Sequence, residues 1–143
     1  MPGYVANYLH GDGTAGAILL LRFREPTSSR TSEFQILARE LGMQVVAMKP
    51  IVVAPRDLDE AAWRKELSRL RGSPSLRGLP SEEQMSKLRA ARENYERKLC
   101  LLSQPFIKND RLTVEDRISE VQKALLEKIE VLRFSLFEAR DAE

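Results

Sequence analysis

Cysteine and histidine are nearly absent from this chain of 143 residues, which holds one of each, Cys100 and His10. A single thiol excludes an internal disulfide framework. One histidine and one cysteine cannot supply the four ligands of the usual structural zinc site. Long hydrophobic runs are missing too. The longest, Ala15 to Leu21, is broken at Gly16 and falls far short of the ~20 residues that span a bilayer. Neither charge sign dominates: Lys and Arg total 23, Asp and Glu 21, and a net charge of +2 excludes a histone-like polycation. No arginine precedes Arg22 and no basic run opens the chain, so neither a signal peptide nor a transit peptide is expected. With its lone thiol, the chain reads as an intracellular, soluble protein.

What is present is charge and a core's worth of apolar residues. Charged residues make up 31%, above the roughly 25% of ordinary globular chains. Hydrophobic residues make up 43%, enough to exclude a disordered chain. The pattern predicts an α+β fold, helix-dominated, with a small β-α-β-α unit followed by a long antiparallel helical hairpin. Residues 17–23, AILLLRF, read as a buried strand between Gly16 and Pro26. Ser32 and Gln35 form a capping box, and Phe34, Leu37, Ala38 and Leu41 make one helical face that Gly42 ends. MQVVAM (43–48) and IVV (51–53) read as β-rich, which makes a parallel crossover unit. Asp57 with Glu60 starts a further helix along Trp63, Leu67 and Leu70.

The domain division follows composition: 1–72 as the α/β unit, 73–80 as a Gly-, Pro- and Ser-rich linker, and 81–143 as a coiled-coil-like hairpin. Ser81 caps its first arm. Thr113, with Asp116, caps a final helix whose stripe is Ile118, Val121, Leu125, Ile129, Leu132 and Leu136. The pattern at 17–53, with EFQILARELGMQVV, resembles the small N-terminal domain of HflX-type GTPases, which also carry a helical hairpin. The GTPase motifs are absent, and the resemblance assigns no functional residue.

Motifs for chemistry are few. GDGTAG (11–16) is a literal GxGxxG, but a strand follows it rather than a phosphate-binding helix. HGDG (10–13) is similar to an esterase oxyanion loop, yet no GxSxG elbow exists and His10 cannot be both loop and base. Cys100 lies in an apolar context with no histidine in sequence reach to activate it. No enzyme activity, cofactor or metal is therefore expected.

The expected function is a non-catalytic protein-interaction or assembly subunit. It would use a protein partner or self-association, docking through the amphipathic C-terminal helix, with Leu126, Phe134, Phe137 and Trp63 as partner-binding residues. The alternative is an RNA-contacting subunit of a ribonucleoprotein, using the basic stretch 64–92 and above all Arg64, Lys65, Arg69, Arg71 and Arg77. No membrane span is expected.

Overall fold

A computed structural model describes residues 1–143. Its first layer is a three-stranded antiparallel sheet. Strand β1 (Gly3–His10) turns back into β2 (Ala15–Arg22), and β5 (Glu130–Glu138) pairs on the far side of β2. The second layer is α1 (Ser32–Met48), laid across one sheet face. Then follow α2 (Glu60–Arg71), α3 (Ser81–Leu99), a small ladder of β3 (Pro105–Phe106) with β4 (Asn109–Thr113), and α4 (Val114–Leu125). The fold is α+β and helix-rich, as the composition predicts.

The expected parallel crossover is absent, because residues 43–48 are helix. Thr31, one residue before the expected cap, accepts from the Phe34 amide, and α1 runs through Gly42 to Met48. Gly42 is a packing residue rather than a terminator. A Cβ there would lie 2.6 Å from Tyr8 Cβ, so its hydrogen lets α1 sit directly on β1. The helix stops at Lys49, which takes the left-handed conformation before Pro50. Residues 51–53 form no strand of a sheet. Val52 makes one isolated bridge to Cys100. The likeness to the HflX-type domain does not hold in the fold, since its second strand is missing.

The hairpin also lies elsewhere. GSPSLRGLP (72–80) links α2 to α3, so the two helices flank the glycine-rich segment. Neither contributes a fully buried residue to the core, and their half-buried positions face each other. Trp63 and Tyr95 pack with ring centroids 4.8 Å apart. Arg92 lies over Trp63 and pairs with Glu60 and Glu96 at 2.9 and 2.8 Å. Cys100 falls just past the end of α3 and is buried.

The expected single helix over 114–139 is two elements. The capping box of Thr113 and Asp116 starts α4, and Leu126 ends it in the left-handed conformation. Residues 130–138 are strand. A bulge sets Leu132 outside the ladder, since Leu20 pairs Arg133 and Leu21 pairs Val131. That extra residue spaces Ile129, Leu132 and Leu136 as a helix would, which is why periodicity misreads a strand.

One core draws on residues from both ends of the chain. Leu19, Leu21, Phe23, Phe34, Leu37, Leu41 and Val45 meet Leu101, Val114, Ile118, Val121, Ile129 and Val131. Buried polar groups tie the layers. Gln44 on α1 donates to Gln104 and to the Pro105 carbonyl and accepts from the Ile107 amide. Arg117 on α4 donates to Glu40 on α1 at 2.9 Å.

Candidate binding surface at the turn end of the sheet

Alternation along a strand sends successive side chains to opposite faces. On β1, Tyr4, Ala6 and Tyr8 face α1, so Val5, Asn7 and Leu9 face outward. No element covers that outer face. Its cross-strand rows are Leu9–Gly16–Phe137, Asn7–Ile18–Ser135 and Val5–Leu20–Arg133. A sheet with one solvated face ordinarily carries polar residues there. Here Leu9 is 70% exposed and Phe137 69%, with Val5 and Ile18 also exposed.

The row nearest the turn is hollow. Gly16 stands between Leu9 and Phe137 at the floor of an open depression of about 400 Å³, lined also by Tyr8, Gly13 and Ala15. A Cβ at Gly16 would come within 3.2 Å of Leu9 Cδ1. A side chain there would crowd Leu9 and fill part of the notch.

The GDGTAG residues form the turn beside it. The amides of Gly13 and Thr14 both donate to the His10 carbonyl, at 3.3 Å each. Gly11 and Gly13 take positive φ, which glycine supplies without a side-chain clash. The Ala139 amide donates to the Thr14 carbonyl, so β5 braces the turn from the side. The Tyr8 hydroxyl and His10 Nδ1 lie 3.0 Å apart in a hydrogen bond. Two of the amides that a phosphate would need are thus already used, and no helix follows. What remains is a braced, exposed tip flanked by two large apolar side chains, a geometry suited to holding a protein surface.

The residues singled out from sequence lie apart. Phe137 stands on this surface. Phe134, also on β5, points inward and packs against the core. Leu126 ends α4 and is 94% exposed. Trp63 lies in the α2–α3 hairpin against Tyr95. Arg64, Lys65, Arg69 and Arg71 lie on α2, and Arg77 lies in the link beyond it. Arg69 is paired with Glu66 at 2.6 Å, and the link to Arg92 takes up Glu60. Sequence reading missed Leu9 and Gly16. The signal for Leu9 is the alternation in residues 3–10, which becomes informative only once that strand is known to pair with β2, and Gly16 lies outside it, in β2 itself.

The sequence model of the family described as "Elongation factor TS" matches residues 2–141. Relatives named elongation factor Ts are similar over nearly the whole chain. The protein of Moorella thermoacetica is 38% identical over 137 residues, which is 95% of this chain and 67% of the relative. That of Carboxydothermus hydrogenoformans is 33% identical over 136 residues, 95% of this chain and 63% of the relative. That of Maridesulfovibrio salexigens is 31% identical over 141 residues, 98% of this chain and 68% of the relative. The chain thus spans about two thirds of the length of these relatives. These matches overturn both expectations of function, the assembly subunit and the RNA-contacting subunit of a ribonucleoprotein. The C-terminal docking helix of the first does not exist, because residues 130–138 are strand.

Proposed function

The chain belongs to the elongation factor Ts family, and from that premise we propose that it is a guanine nucleotide exchange factor for EF-Tu that contacts it through the turn end of the sheet. The observation that carries this reading is the match over residues 2–141, which runs from β1 through the end of β5 and so contains the whole surface.

Exchange is a matter of differential affinity. A factor that binds the nucleotide-free state of its partner more tightly than the nucleotide-bound state speeds release, and one with equal affinity for both shifts nothing. No covalent chemistry is required of the factor. Its residues must present a surface that fits one partner conformation. A rigid tip suits this, because a flexible one would adapt to both states. The brace from Ala139, the bond between Tyr8 and His10, and the narrow turn supply that rigidity. Leu9 and Phe137 supply apolar area, and the notch at Gly16 admits a partner side chain between them. The α2–α3 hairpin stands outside the core and is a separate projecting arm in this reading.

Titration calorimetry of the chain against nucleotide-free and GDP-bound EF-Tu tests the reading. Tighter binding to the nucleotide-free form is expected, and Phe137→Asp should weaken it by more than roughly tenfold, as loss of an apolar anchor does. Equal affinity for the two forms would contradict it.

A further inference from the structure

The free edge of β1 is a second feature that the exchange reading does not use. Strand β1 lies at the end of the order β1-β2-β5, so one side of its backbone has no neighbour. The Phe23 amide donates to the Pro2 carbonyl, which makes 2–23 a hydrogen-bonded pair of the ladder. Such pairs alternate in an antiparallel ladder. Tyr4, Ala6 and Tyr8 therefore turn their amides and carbonyls to β2, while Gly3, Val5, Asn7 and Leu9 turn theirs away from it. None of the turn, loop or cap hydrogen bonds involves residues 3, 5, 7 or 9.

Natural sheets protect such an edge with charge, proline or a bulge. The sequence GYVANYLH has no Asp, Glu, Lys or Arg and no proline, and its pairing with β2 runs without a bulge. The opposite edge is guarded. Strand β5 carries Glu130, Arg133 and Glu138 and a bulge at Leu132, and Lys49 pairs with Glu138 at 3.0 Å.

A groove runs beside the open edge. It measures about 370 Å³ and lies between Tyr4, Ala6 and Asn7 on β1 and Gln35, Ile36, Ala38 and Arg39 on α1. It narrows toward Gly42, where α1 meets Tyr8 directly. Ile36 is 52% exposed, an apolar residue on the helix wall. Arg39 sits one helical turn on, its guanidinium 5.3 Å from the Tyr8 ring centroid. Among the chain's ion pairs it has none, although nine others are made.

We propose that this groove binds an extended acidic peptide segment, which adds to the sheet as a fourth strand on β1. Unpaired backbone groups of the edge supply the main-chain bonds of strand addition, and alternate side chains of the segment enter the groove. Side chains two residues apart on a strand lie about 7 Å apart. One position meets the apolar wall at Ile36 and Tyr4, and the next on the same face carries a carboxylate to Arg39. The preferred pattern is an apolar residue and an Asp or Glu separated by one residue, within β-branched neighbours. A second copy of this chain suits the groove poorly, because β1 itself offers no carboxylate to Arg39.

A display library of random eight-residue peptides, panned on the whole chain and in parallel on Arg39→Glu, tests the proposal. The wild type is expected to select sequences with that pattern, and Arg39→Glu to select lysine or arginine at the acidic position. A selected peptide with Asp should lose roughly tenfold in affinity on Arg39→Glu, as loss of a charge-assisted bond does. It should lose binding altogether when proline replaces the residue that donates to the edge. In hydrogen exchange, the amides of Val5, Asn7 and Leu9 should gain protection on binding. Four results would each overturn the proposal: no enriched sequence, the same sequences from both proteins, selection of helix-forming peptides, or protection of these amides through concentration-dependent self-association without peptide.

Discussion

At the scale of single residues, strain and burial make sharp expectations. Leu126 combines a left-handed backbone with nearly complete exposure, so its side chain gains little from packing and meets the steric penalty of that conformation. Leu126→Gly should stabilise the fold by about 1 kcal/mol in chemical denaturation. A loss of stability would mean that Leu126 packs in a way the structure does not show. Glu127 is the reverse case, a buried carboxylate only 6% exposed. Burial alone would raise its pKa. The Ser28 hydroxyl and the amides of Glu25, Arg24 and Lys128 all donate to it, and together they hold it down at about 2, against an ordinary 4.5. Its contribution is complete above pH 4.5 and lost as pH falls from there through about 2. Glu127→Gln should cost about 2 kcal/mol at pH 7, and the gap to wild type should narrow at pH 3. A gap independent of pH would place the cost in packing rather than charge. Cys100 is fully buried, and burial pushes its thiol up to about 11. It should resist alkylation at pH 8 in the native chain and react at once in denaturant.

At the scale of elements, the glycine with the least room for a side chain is Gly42, where α1 meets β1. Gly42→Ala places a methyl group against Tyr8, and separating α1 from β1 should cost about 1–3 kcal/mol despite alanine's better helix propensity. A stabilised Gly42→Ala variant in thermal unfolding would show that the helix can shift freely. The same residue shows part of what is not legible in the sequence, since it reads there as a helix end. The box at Thr113 and Asp116 stands where local rules put it, whereas α1 is capped by Thr31 rather than Ser32 and α2 by Asp59 rather than Asp57, which lies in a short turn before it. The rest depends on partners distant in sequence. A glycine needed for tertiary contact resembles one that ends a helix. A bulged strand resembles a helix in its spacing. Strand β5 forms because β2, more than a hundred residues earlier, offers it an edge, and no window of sequence contains both.

At the scale of the whole molecule, the sheet has one face on α1, one face open and one edge unguarded. Of the candidate surface, only Phe137 is read from sequence as a binding residue, for its place on a helix that does not exist, because the surface is assembled across three strands. On the function proposed above, this assembled surface loosens nucleotide from EF-Tu. Release of a fluorescent GDP analogue from EF-Tu, followed by stopped flow as the chain is titrated in, tests it most directly. The release rate is expected to rise with chain concentration to a plateau and to fall back toward the spontaneous rate for Phe137→Asp at the same concentrations. A release rate unchanged by any amount of the folded chain would contradict it.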